Sequence, residues 1–107
     1  MKKAVWITFD LGVNGDYEGM YAWLDTHGAK ECGDSVAFLE YEAKRNFISE
    51  LKADLKRSVS TKKKNRVYVI YKSDEGKLKG VFLFGGRKKS PWTGYGAPEE
   101  MGSSDEL

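Results

Sequence analysis

The stretch Ala4-Val5-Trp6-Ile7-Thr8-Phe9-Asp10-Leu11 decides the fold, because it has the composition of a central β-strand and carries a charged residue near its end. β-Branched and aromatic residues fill it, and Gly12, Asn14 and Gly15 stop it. Side chains alternate between the two faces of a strand. One face holds Val5, Ile7, Phe9 and Leu11, and the other holds Ala4, Trp6, Thr8 and Asp10. Because an ionised Asp is costly to bury unpaired, we predict that the odd-numbered face joins the core and the even-numbered face meets solvent, a ligand or another chain.

The composition indicates one folded domain. A chain of 107 residues is long enough for a single two-layer core, and 40% hydrophobic with 13% aromatic residues argues against disorder over most of its length. No apolar run approaches the roughly 20 residues of a membrane span, and Asp10 interrupts the only stretch that resembles a signal peptide. The lone Cys32 has no second thiol for a disulfide or a zinc site. We therefore expect a cytoplasmic protein with no membrane association.

Periodicity predicts two helices and four further strands after the first one. The helices are expected at 17–27 and 42–59, with Asp16 as the first N-cap and Gly28 as the first C-cap, and the strands at 29–32, 35–41, 67–71 and 80–84. This order is β-α-β-β-α-β with an added C-terminal strand, the α+β, ferredoxin-like arrangement of an antiparallel sheet with two helices on one face. The predicted domain spans residues 1–90, and residues 91–107 are predicted to be a partly disordered extension.

The sheet face opposite the helices is predicted to be apolar. It carries Trp6 and Thr8 and, if the strand phase holds, some of Tyr68, Ile70, Phe82 and Phe84. Such a face must be covered, and a homodimer through this face or through the last strand is the simplest solution. We expect Trp6, Phe82 and Phe84 at that interface. As an alternative, exposed members of the set Trp6, Trp23, Tyr68 and Phe84 would stack on nucleic-acid bases.

Charge is distributed unevenly along the chain. Residues 1–43 carry 3 basic and 8 acidic side chains, a net charge of −5. Residues 44–89 carry 15 basic and 4 acidic side chains, a net charge of +11, and residues 90–107 carry 4 acidic side chains. An excess of positive charge in the middle of the chain predicts affinity for nucleic acid. The predicted binding residues lie on the second helix and in the loops 62–66 and 87–89: Arg45, Lys52, Lys56, Arg57, Lys62, Lys63, Lys64, Arg66, Arg87, Lys88 and Lys89. A solvated helix face and loop is the alternative interpretation.

The order of elements resembles the superfamily of small ferredoxin-like proteins that contains VapD and the CRISPR-adaptation nucleases. The resemblance rests on Ile7-Thr8-Phe9-Asp10-Leu11, the short first helix, the hairpin at Gly33-Asp34, the second helix and the added last strand, and it covers roughly residues 4–86. It implies that Asp10 of each subunit in a dimer gathers a divalent cation, Mg²⁺ or Mn²⁺, for phosphodiester cleavage. The alternative role for Asp10 is to accept backbone N–H bonds from the loop that follows it.

Three functions remain open from the sequence. The first is a nucleic-acid-binding homodimer with no certain cofactor. The second is a metal-dependent endoribonuclease or DNase that uses paired Asp10 side chains. The third is a protein-interaction module of phage or mobile-element origin, whose charge dipole would engage an acidic partner.

Overall fold

The computed structural model describes residues 1–96 and confirms the predicted order of elements. The elements are β1 (Lys2–Asp10), α1 (Tyr17–Thr26), β2 (Lys30–Gly33), β3 (Val36–Glu42), α2 (Phe47–Ser58), β4 (Arg66–Lys72) and β5 (Leu78–Phe84). The five strands form one antiparallel sheet in the order β2-β3-β1-β4-β5, so the fold is of the ferredoxin-like type with an extra strand. In this part of the chain neither helix is long and apolar enough to cross a membrane. The predicted disorder in 91–107 falls mainly on residues 97–107, which lie outside the described residues.

The core lies on the odd-numbered face of β1, as predicted. Val5, Ile7, Phe9 and Leu11 are all buried there. Both helices pack on this face and contribute the buried residues Met20 and Trp23 from α1 and Phe47, Leu51 and Leu55 from α2. The even-numbered face of the sheet is thereby left on the side away from the helices. We call it the open face.

The predicted N-cap Asp16 of α1 is confirmed, and the predicted C-cap Gly28 lies directly after the observed C-cap His27. The Asp16 carboxylate accepts a hydrogen bond from the Gly19 backbone N–H at 2.9 Å, which satisfies one of the free donors of the first turn. Gly28 follows the helix with a φ of +64°, a conformation that glycine adopts at little cost. The second Asp16 oxygen accepts from the Ser60 N–H at 2.8 Å, so this residue also ties the start of α1 to the end of α2.

The predicted start of α2 at residue 42 is wrong by five residues. Strand β3 continues through Glu42, and the helix begins at Phe47 after the N-cap Asn46. The Glu50 carboxylate accepts hydrogen bonds at 2.7–2.8 Å from the three backbone N–H groups of residues 44–46. These bonds hold the connection in a non-helical conformation, because its donors are satisfied from inside the helix.

The order of the strands converts the charge asymmetry of the chain into an asymmetry across the sheet. The strands β2 and β3, from the acidic first part of the chain, form one edge, and β4 and β5, from the basic middle part, form the other. Of the two helices, α1 stacks Trp23 near Tyr41 of β3, and Phe47 of α2 packs against both Tyr41 of β3 and Tyr71 of β4. Positive charge is therefore concentrated towards the α2 and β5 side of the molecule.

Candidate nucleic-acid interface

Two of the predicted basic residues, Lys52 and Lys56, lie one turn apart on the exposed side of α2. The ammonium group of Lys52 is 5.8 Å from the centroid of the Phe84 ring, at the end of β5. This cation–π contact links the basic side of the helix to the β5 edge of the sheet.

Phe84, which an uninterrupted strand phase would place on the same face as Phe82, lies instead on the helix side of the sheet. Its pairing partner is the buried Val67, and its side chain packs against the helix-facing core. The register of β4 and β5 shifts between Val67 and Tyr68, where three residues of β5 face two of β4. Such a β-bulge re-aims the side chains that follow it. As a result Phe82 points to the open face and Phe84 to the helices.

The connection from α2 to β4 presents Lys62, Lys63 and Lys64 to solvent, and a buried amide fixes its base. Asn65 is 4% exposed. Its Nδ2 donates to the Leu11 carbonyl at 2.9 Å, and its Oδ1 accepts from the Lys62 N–H at 2.6 Å. The lysine loop is therefore anchored to the end of β1, beside Asp10.

Arg66, Arg87 and Lys88 lie at the same end of the sheet but on the open face. Arg66 is the cross-strand partner of Asp10, and its guanidinium donates to the carboxylate at 2.8 Å. Lys88 Nζ is 3.9 Å from the same carboxylate oxygen. The Arg87 guanidinium lies over the rings of Tyr68 and Phe82, at 5.8 and 5.7 Å from their centroids.

Asp10 is a member of this cluster. The hydrogen bond from Arg66 lowers the pKa of Asp10 below its ordinary value, against the opposing effect of partial burial, and the Gly12 backbone N–H adds to the lowering. Residues 1–96 contain no group of three or more His, Cys, Asp or Glu side chains placed to hold a metal ion. A cation bound by Asp10 across a two-fold axis would have to compete with the Arg66 guanidinium for the carboxylate. The metal role of Asp10 stays a prediction.

The structure does not bring the whole basic set together. Arg45 precedes α2, whereas the lysine loop follows it, and a helix of 12 residues is about 18 Å long. Arg57 pairs with Asp54 on its own helix at 3.3 Å. Within residues 1–96, ion pairs of the predicted set involve only Arg57, Arg66 and Lys88. The members that converge on one end of the molecule are Lys52, Lys56, Lys62, Lys63, Lys64, Arg66, Arg87 and Lys88, and Lys89 follows directly in the chain.

The open face carries an aromatic cluster that the sequence showed only in part. Trp6 of β1 packs against Phe38 of β3 with ring centroids 4.9 Å apart, and Tyr68 of β4 meets Phe82 of β5 at 4.7 Å. Phe38 was missed, although it alternates along β3 with buried neighbours as an open-face residue must. Trp23, in contrast, is 3% exposed and belongs to the core, so it is not available for stacking.

A cleft of about 350 Å³ opens beside this cluster, at the end of β1. Its walls include Thr8, Asp10, Tyr68, Phe82 and the two arginines 66 and 87. The cleft thus combines aromatic faces, two guanidinium groups and one carboxylate. Its volume is near the lower end of the roughly 300–1,000 Å³ of small-ligand sites.

Neither a protein-family model, nor a curated protein sequence, nor a solved structure matches this chain.

Proposed function

We propose that this protein binds nucleic acid through a basic surface formed by Lys52, Lys56 and the loops 62–64 and 87–89. The observation that carries the proposal is the convergence of these cations at one end of the molecule. Apart from Lys88, none of them forms an ion pair within the part of the chain that the structure describes. A polyanion supplies the missing partners at regular spacing, which an isolated anion does not.

The anchoring of the lysine loop supports the same function. A flexible loop of lysines would lose much conformational entropy on binding, because a long side chain and its backbone must both be ordered. Here the Asn65 amide already fixes the base of the loop against β1. The side chains of Lys63 and Lys64 then remain to be ordered by phosphate, while the Lys62 Nζ already donates to the Asn14 carbonyl at 3.3 Å.

The test compares two triple variants that remove equal charge from different places. Lys62→Ala, Lys63→Ala and Lys64→Ala together remove the proposed phosphate contacts. The control replaces Lys72, Lys77 and Lys79, exposed residues at or near the β4–β5 turn at the other end of the sheet. Binding to mixed DNA and RNA oligonucleotides is measured as a function of salt concentration.

We expect the loop variant to lower both the affinity and its dependence on salt, by a change in log–log slope of about 2 for three lost contacts. The control should keep most of the wild-type slope. Equal losses in the two triple variants, or wild-type binding that does not respond to salt, would refute the basic surface as the binding site.

Cleavage by a metal ion on paired Asp10 residues stays a prediction, as do the homodimer and the kinship with the VapD and CRISPR-adaptation superfamily. The protein-interaction module stays one too. A metal ion at Asp10 would have to displace the Arg66 guanidinium from the carboxylate. Turnover that requires Mg²⁺ or Mn²⁺ and disappears in Asp10→Ala would establish nuclease activity. No geometric observation favours it over simple binding.

A further inference from the structure

The open face of the sheet presents aromatic rings from four adjacent strands. Trp6 and Phe38 are direct cross-strand partners on β1 and β3, and Tyr68 and Phe82 are direct partners on β4 and β5. Both helices pack on the opposite face of the sheet. Trp6 keeps 41% of its surface exposed, and the other three rings are half-buried. Two pairs of rings therefore lie on a surface that faces away from the helices.

Gly80 explains how the Tyr68 ring can lie along the sheet. It stands beside Tyr68 on β5, and a Cβ at this position would collide with the Tyr68 hydroxyl and the ring carbons next to it. The ring occupies the space that a side chain at residue 80 would need. Tyr68 is thus laid down over β5, edge-to-face with Phe82 and with the Arg87 guanidinium over part of its ring.

Positive charge surrounds the same rings. The Arg87 guanidinium covers part of Tyr68 and Phe82, and Arg66 and Lys88 stand at the edge of the cleft around Asp10. With three cations and one carboxylate, this cluster has a net charge of +2. Aromatic rings next to an excess of positive charge match the two parts of a nucleotide, a base with two π-faces and a phosphate.

We propose that the open face binds unpaired bases of single-stranded nucleic acid, with bases stacked on the Tyr68–Phe82 and Trp6–Phe38 pairs and phosphates held by Arg87 and Lys88. This inference rests on the proposed nucleic-acid binding and narrows it to single strands. In a duplex the base faces are stacked on one another and only the base edges are accessible. A ring lying on a sheet can reach the face of a base only where the strand is unpaired.

Charge also decides between a nucleic acid and a second copy of the chain as the occupant. An isologous contact brings the same patch of two subunits together. A two-fold contact centred on the cleft would place two clusters of net charge +2 against each other. It would also remove both clusters from water, which is costly without counter-charges. A single strand brings those counter-charges with it.

The experiment measures binding of one oligonucleotide sequence as a single strand and as a duplex to wild type, Tyr68→Leu and Tyr21→Leu. Tyr21 is a matched control because it is an exposed tyrosine, 53% accessible, on the helix layer. We expect wild type to prefer the single strand. Tyr68→Leu should weaken single-strand binding by roughly 5- to 150-fold, the range for loss of one base–aromatic stack, and leave duplex binding unchanged. Tyr21→Leu should change neither.

Two further measurements keep the test decisive if Tyr68→Leu is unstable. Gly80→Ala retains every aromatic residue but displaces the Tyr68 ring, so it should weaken single-strand binding in the same direction. In a Trp92→Phe background, Trp6 is the remaining tryptophan on the surface, and its fluorescence should be quenched by the single strand and not by the duplex.

The outcomes separate this inference from the proposed function. Equal affinity for single strand and duplex, both weakened only by the lysine-loop variant, would overturn the open-face site and leave the basic surface intact. A wild-type dimer that Tyr68→Leu converts to a monomer, with unchanged single-strand binding, would assign the open face to self-association and also overturn the inference. Absence of any salt-dependent binding would remove both proposals.

Discussion

Replacement of Asn65 by alanine is the sharpest test of how the proposed surface is built. Asn65 is a buried polar residue, and its amide joins the end of β1 to the lysine loop through two hydrogen bonds. The variant leaves the Leu11 carbonyl and the Lys62 N–H without these partners. A buried group left unpaired costs about 1–3 kcal/mol, and water can replace the partner only for the exposed Lys62.

We therefore expect Asn65→Ala to lower the free energy of unfolding by about 2–3 kcal/mol. For a domain of this size that corresponds to a fall in melting temperature of roughly 10–20 °C. Denaturant titration followed by far-UV circular dichroism measures the first quantity, and a thermal scan the second.

Asn14→Ala serves as the control, since Asn14 is exposed and its side chain forms no hydrogen bond within residues 1–96. It should change stability by less than about 0.5 kcal/mol. If Asn65→Ala is equally mild, the two hydrogen bonds contribute nothing net and the anchoring argument fails. If the variant is destabilised but binds nucleic acid like wild type where both are folded, a fixed loop is not required for binding.

Three further predictions concern the core and two ionisable groups. Leu55→Ala should cost about 2–5 kcal/mol in denaturant titration, because the side chain is fully buried between α2 and the sheet. The Arg66 hydrogen bond depresses the pKa of Asp10, so the ionised carboxylate adds stability above its unfolded pKa of about 3.8. That contribution is lost as the pH falls through the folded pKa. Arg66→Gln should therefore raise the Asp10 pKa in an NMR titration. Burial and the hydrogen bond to Asp54 raise the pKa of Tyr41 to about 12. Because Tyr41 loses its proton first in the unfolded chain, the free energy of unfolding should fall between pH 10 and 12. Unfolding measured as a function of pH should show no such fall in Tyr41→Phe.

The sequence was sufficient for the fold because local signals and the hydrophobic pattern agreed. Alternation in β1 identified the buried face, and Asp16 and Gly28 marked the ends of α1 through cap geometry that depends on neighbours in the chain. The predicted start of α2 is too early, although Asn46 is a favoured N-cap residue at the correct position. The end of β3 at Glu42 is set by its pairing with Lys2, which the residues between the strand and the helix do not reveal.

The candidate site was harder to predict because it depends on register. The sequence placed Arg66 in the basic set but gave no reason to put it opposite Asp10, a pairing that follows from the alignment of β1 with β4. The bulge in β5 reversed the face of Phe84, and a bulge of this kind leaves no clear trace in a continuous apolar run such as residues 81–84. The stacking of Arg87 on two rings likewise arises from how the chain turns after β5.

The division of charge between the two edges of the sheet has a consequence for the protein in concentrated solution. At low ionic strength the acidic β2 side of one molecule should attract the basic β5 side of the next, head to tail, and such a heterologous contact can be repeated from molecule to molecule. Dialysis against water should then make a concentrated sample turbid, and a little sodium chloride should clear it.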